Sequence, residues 1–209
     1  RPGWTGKTET EMNELRQVYA DLIRDVGGMQ CGYNITIFPS TVQFLPSIVG
    51  WARSNMDRVH HVSLIAFRAI PLVREWGFRV LDKTVDPRIF QHATDAPELL
   101  SLTSETMYGA LASGFPEFRP CAYLPGTAAP ESYKFLVTVQ VGSQDLPYGF
   151  LGPKAIEIVQ VFHHLFKGRY FDFLKSPVAG RKLFLLSPFD RSLRGAFKKY
   201  LSEALKSPA

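Results

Sequence analysis

Cys31-Gly32-Tyr33-Asn34-Ile35-Thr36-Ile37-Phe38 alternates with period two. Tyr33, Ile35 and Ile37 share one side, Asn34 and Thr36 the other, and the β-branched content suits a half-buried strand. Upstream, Thr8-Glu9-Thr10-Glu11 has capping-box spacing. Met12, Leu15, Val18, Tyr19, Leu22, Ile23 and Val26 then recur at helical spacing until Gly27-Gly28, which predicts a helix over about 9–26. Its remaining face carries Asn13, Arg16, Gln17, Asp21 and Arg24, so this helix covers something on one side only. Downstream, Ser40-Thr41-Val42-Gln43 is a second capping-box pattern before an apolar stripe of Val42, Leu45, Ile48, Val49 and Ala52. Pro46 either kinks that helix or restarts it. Val59 to Phe67 reads as the next strand. Helix, strand, helix, strand with short connections is the rhythm of parallel βα units, hence an α/β class. Two parallel strands do not hold a sheet alone, so further strands are expected before Arg1. A start lacking methionine agrees with a chain that opens in mid-fold.

Beyond Pro71 the rhythm changes. Residues 71–101 hold scattered apolar side chains with Pro87 and Pro97, predicting loop with short helical pieces. A helix is expected from Thr103 to Ser113. Pro116, Pro120, Pro125 and Pro130 mark an irregular passage around Cys121. Tyr133 to Val141 alternates as an antiparallel strand, and Tyr148 to Leu151 is placed to pair back after a turn at Gly142 to Leu146. Pro153 suits the first position of a helix ending at Lys167, with Gly168 as its stop. Lys182 to Leu186 reads as a short strand, and Asp190 or Ser192 caps a last helix to about Leu205. The expected division is 1–70, the βα units, and 71–209, an α+β extension.

The composition narrows the class. Hydrophobic residues make up 45% and charged residues 21% of 209, which suits a globular chain rather than a disordered one. Lys and Arg exceed Asp and Glu by 24 to 19, a net charge of +5, and nucleic acid is not an expected partner. No apolar run is long enough to span a bilayer and no signal peptide is visible, so a cytoplasmic protein with reduced thiols is expected. Arg191, Arg194, Lys198 and Lys199 alternate with Phe197 and Tyr200 on an amphipathic helix. Its apolar stripe faces its own core on the preferred reading; on the other, the helix meets anionic lipid or phosphate.

No self-contained catalytic motif is present. The histidines fall as His60-His61, His92 and His163-His164, and neither adjacent pair offers two ligands on one face. There is no HExxH, GxSxG or phosphate-loop pattern. Gly149 to Pro153 precedes a helix and could seat an anion, although Pro153 lacks the amide such a site uses. Cys31 reads as a small buried residue, and Cys121 as the better ligand or reactive thiol. On the helix from Pro153, Glu157, Gln160, His164 and Lys167 form one polar stripe, while Ile156, Ile158, Val159, Val161, Phe162, Leu165 and Phe166 cover the rest. Such a helix is expected to be buried, its polar stripe facing water or lining a cleft.

Several ordered segments carry a resemblance: Met29 to Ile37, Asp57 to Arg68, Phe118-Arg119-Pro120-Cys121-Ala122-Tyr123-Leu124, Tyr148 to Lys154, and His163 to Tyr170. Together they resemble the later part of radical SAM enzymes of the group related to archaeal tetraether-lipid synthases. The opening Arg1-Pro2-Gly3-Trp4 is similar to the segment after the fourth barrel strand of that group. The resemblance implies the C-terminal half of a partial (βα) barrel followed by an α+β extension. It also implies S-adenosylmethionine and a [4Fe-4S] cluster in the intact protein, with a 5′-deoxyadenosyl radical taking hydrogen from an unactivated carbon, a lipid or other alkyl chain among the candidates. Asn34 and Arg68, with Thr36 as companion, are carried over as cofactor-pocket residues. The family's CxxxCxxC motif is absent, since Cys31 and Cys121 are the only thiols. The cluster-binding N-terminal half is therefore expected as a missing partner of this chain, which alone should be inactive. The alternative expectation is a non-catalytic module that meets an anionic membrane surface, or a protein partner, through its basic C-terminal helix.

Overall fold

Thr8 and Glu11 close the first capping box: the Glu11 amide donates to Thr8 Oγ1 at 3.3 Å, and the Glu11 carboxylate accepts from the Thr8 amide at 2.7 Å. Helix α1 (Met12–Val26) follows, and Gly27 at φ 71° ends it. The computed structural model describes residues 3–67, 69–72, 77–89, 93–96, 102–118, 122–124, 135–143, 146–171, 182 and 184–206. Strand β1 (Gly32–Ile37) runs parallel to β2 (His61–Ala66), from Gly32 opposite His61 to Ile37 opposite Ala66. Between them a 3₁₀ turn (Val42–Phe44) leads into α2 (Leu45–Arg53). Pro46 thus restarts the helix in its first turn, where its missing amide is harmless. Ser40 does not act as the cap; Thr41 Oγ1 turns back to accept from the Phe38 amide at 2.9 Å. The βαβ unit and mixed α/β class expected from the sequence are present.

Residues 70–94 carry short ladders. Strand β3 (Ile70–Pro71) pairs in parallel with β6 (Ala93–Thr94), and β4 (Phe78–Val80) forms a hairpin with β5 (Lys83–Val85) through Leu81 at φ 55°. Apart from one 3₁₀ turn at Pro87–Ile89, the described part is not the loop with helical pieces that was expected. Helix α3 (Ser104–Gly114) is capped by Thr103, whose side chain accepts from the Thr106 amide. Strands β7 (Ala122–Leu124) and β8 (Phe135–Val137) pair antiparallel, as do β9 (Gln140–Ser143) and β10 (Leu146–Phe150). The predicted strand 133–141 is thus interrupted, while the predicted return pairing forms. Helix α4 (Pro153–Lys167) ends at Gly168 in the left-handed region, and α5 (Arg191–Ala204) is the last described element. Phe184–Leu186 is a 3₁₀ turn rather than the end of a strand.

Apolar burial joins these elements. Ile35 and Ile37 of β1 pack with Leu45 and Ile48 of α2, Met107 and Leu111 of α3, and Phe150 of β10. Ile37, Leu45 and Ile48 are fully buried, and each such side chain stabilises the fold by about 1.5–3 kcal/mol. A second cluster sets Leu151, Ala155 and Ile156 against Leu193 and Ala196 of α5. The basic helix therefore turns its apolar stripe to the core, as the preferred reading held.

Helix α1 departs from its expected orientation. Its polar side faces inward: Arg16 is buried, bonding Asn13 Oδ1 at 2.7 Å, the Glu9 carbonyl at 2.8 Å and the Glu9 carboxylate. Trp51 of α2 donates to Gln17 at 3.0 Å, and Arg58 reaches Asp21 at 2.6 Å. Val18, Tyr19, Leu22 and Val26 are left exposed. Hydrogen-bond partners from α2 and the segment before β2 have claimed the polar face; of the apolar stripe, Ile23 packs against the Ala20–Cys31–Val59 cluster while the Val18, Tyr19, Leu22 and Val26 side stays exposed.

Candidate functional site

Period two puts Asn34 and Thr36 on the same side of β1, and the parallel register adds His61, Ser63 and Ile65 of β2 beside them. Asn34, Thr36, His61 and Ile65 are exposed, Ile65 at 44%. The opposite side of the ladder is closed by α1 and α2, where Cys31, Ala20 and Val59 are buried together and Tyr33 meets Trp51 edge-on at 5.5 Å. Among the described residues β1 pairs with β2 alone. The result is an open shelf of amide, hydroxyl, imidazole and alkyl groups, with donors and acceptors for a polar ligand beside an apolar surface for an alkyl one. Parallel strands are ordinarily covered on both faces, and here Asn34, Thr36, His61 and Ile65 leave one face open. Arg68, the third residue carried over from the resemblance, lies outside the described residues, as do His92 and Cys121.

His60 is turned away from metal chemistry. Its Nδ1 accepts the Cys31 amide at 3.1 Å, so the neutral ring carries its proton on Nε2. Cys31 itself is 1% exposed and free, a small apolar residue as the sequence reading held. No group of three or more His, Cys, Asp or Glu side chains among the described residues could hold a metal ion. An iron–sulfur cluster needs clustered thiolates, and a buried thiol with one other cysteine in the chain does not fit it.

A second polar centre escaped the sequence reading. Arg53, the last residue of α2, is 9% exposed and bonds Glu117 at 3.0 Å. Its guanidinium lies over Phe115 at 4.5 Å and Phe150 at 4.8 Å. Its Nε is buried without an acceptor among the described residues. Burial opposes ionisation of Glu117, but its own backbone amide and the Arg53 bond outweigh that and hold its carboxyl below the ordinary value. On the solvent side a groove of about 520 Å³ runs past Glu117, Tyr148, Arg191, Ser192 and Lys199. An arginine at a helix end and a glutamate 64 residues later share no local signal, so only the fold unites them.

The anion position before α4 is filled by the protein. Asp190 Oδ2 accepts from the Ala155 amide at 3.4 Å while its Oδ1 caps α5 through Leu193 at 2.9 Å. The expected physics of a helix N-terminus is present, with a side-chain carboxylate as the anion. Of the two cap candidates, it is Asp190 that caps α5. Set beside known protein families, curated proteins and solved structures, the chain matches none of them.

Proposed function

We propose that this chain is the C-terminal portion of a radical SAM enzyme, acting in its intact form on an unactivated carbon of a lipid or other alkyl chain. The observation that carries this reading is the bare face of the β1–β2 ladder with Asn34 and Thr36 side by side on it. In a (βα) barrel one face of each strand lies against its helices and the other lines the barrel interior, with the ligand held at the strands' C-terminal ends. The edge of β1, unpaired among the described residues, and the exposed Val18, Tyr19, Leu22 and Val26 of α1 add support, because a preceding βα unit would cover both. That unit would belong to the N-terminal half of the protein, which would also bring the cysteines this chain lacks. S-adenosylmethionine would lie along the bare face, with Asn34 and Thr36 as hydrogen-bonding groups and Arg68 as a third. The chain alone would be inactive.

Titration of the intact protein with S-adenosylmethionine by calorimetry tests the site. Asn34→Ala and Thr36→Ala should each weaken binding about 5- to 10-fold, the scale of one lost hydrogen bond. Melting temperatures should not move, because both side chains are exposed. Unchanged affinity in both variants would remove them from the site.

A second reading takes the chain as a non-catalytic module that meets an anionic surface through α5. The exposed Arg191, Arg194 and Lys198 around Gly195 favour it. With Leu193 and Ala196 buried, such a contact would be electrostatic and weakened by salt.

A further inference from the structure

Helix α4 should have been buried over most of its circumference, and its second half is not. Ala155 and Ile156 are buried at its start, whereas Val161 and Phe162 are 55% exposed, Leu165 73% and Phe166 77%. The predicted wet stripe is only partly wet. Gln160 is engaged by the returning chain, donating to the Phe171 carbonyl at 3.0 Å and accepting from the Phe171 amide at 2.7 Å. His163 Nδ1 lies 2.6 Å from the Arg169 carbonyl, and the His164 ring stacks on Tyr170 at 4.7 Å. The tip thus satisfies much of its own polarity and directs outward Val161, Phe162, Leu165, Phe166 and Tyr170, with Phe162 stacked on Phe166.

We infer that this tip is a membrane-contact element whose apolar wedge enters the interface of an anionic bilayer. Charge selects that occupant. From Ile158 to Phe171 there is no acidic residue, while Lys167 and Arg169 stand exposed at the end of the wedge. Cations rimming aromatic and aliphatic side chains match an acyl surface below and phosphate groups above. The wedge differs from the basic helix α5, which keeps its apolar side in the core, and the inference does not depend on the enzymatic reading.

The test is co-sedimentation of the chain with vesicles of phosphatidylcholine containing phosphatidylglycerol, compared with phosphatidylcholine alone. Binding should require the anionic lipid and weaken as salt is raised. The double variant Phe162→Asp/Phe166→Asp should lower the bound fraction about tenfold, and Lys167→Glu/Arg169→Glu should weaken it and flatten the salt dependence. Val80→Asp, at an exposed residue of the β4–β5 hairpin, should bind like the parent chain. Circular dichroism should show the parent fold in every variant, since the altered side chains are exposed. Failure to bind anionic vesicles at low salt, equal binding by the Phe162→Asp/Phe166→Asp variant, or self-association through these residues without lipid binding would each overturn the inference. None of these results bears on S-adenosylmethionine binding.

Discussion

Asp190 joins two helix beginnings with one carboxylate, accepting from the Leu193 amide of α5 and the Ala155 amide of α4. It is 4% exposed, so neither amide has water to turn to when it is removed. Asp190→Ala should destabilise the chain by about 2 kcal/mol, at the upper end for a lost cap, in a denaturant melt. Gly152→Ala should destabilise it too, because a Cβ there runs into the Asp190 carboxylate. A pH test belongs to Arg53 and Glu117. The Glu117 carboxyl titrates below its ordinary value in the folded chain, so the pair's stabilisation is present at neutral pH, above the unfolded glutamate value. It is lost as pH falls through the lowered folded value. The melting-temperature gap between the parent chain and Glu117→Gln should therefore close on acidification. A gap that is constant across pH would mean the carboxylate charge is not what matters.

At the scale of the elements, β1 was legible because alternation is a property of the strand alone: Ile35 and Ile37 are buried, Asn34 and Thr36 exposed. The capping box of α1 was legible for the same reason, since both partners lie within four residues. The inward face of α1 was not. It depends on Trp51 and Arg58, whose bonds to Gln17 and Asp21 span 34 and 37 residues. Likewise, the two- and three-residue ladders of β3 to β6 carry no period to read. Leu22, 57% exposed on α1, yields a prediction at this scale. Leu22→Glu should shift the stability of this chain by less than about 0.5 kcal/mol, yet impair assembly with the proposed preceding βα unit in the intact protein. Arg16→Ala should act oppositely on the isolated chain. It strands the Glu9 carboxylate and empties a buried position, destabilising by about 2–3 kcal/mol. Equilibrium denaturation of the two variants side by side separates the faces.

Across the whole molecule, the cluster around Ile37, Leu45, Met107, Leu111 and Phe150 ties the β1–α2–β2 unit to α3 and β10. Phe150→Ala should therefore cost about 3–5 kcal/mol and loosen both regions together, read as a common loss of amide protection in hydrogen exchange. No helix among the described residues is long and apolar enough to cross a membrane. The proposed chemistry comes from the ordered resemblance alone, because Asn34 and Thr36 on the β1–β2 face carry no catalytic motif that local spacing could signal. It rests on the proposal that an N-terminal portion would supply the wall that covers this face. The decisive measurement is the anaerobic yield of 5′-deoxyadenosine when the intact protein, reconstituted with iron and sulfide, is given S-adenosylmethionine and a reductant. The nucleoside should form with the intact protein, fall sharply with Asn34→Ala, and be absent with residues 1–209 alone; no 5′-deoxyadenosine from the reconstituted intact protein would contradict the radical SAM assignment.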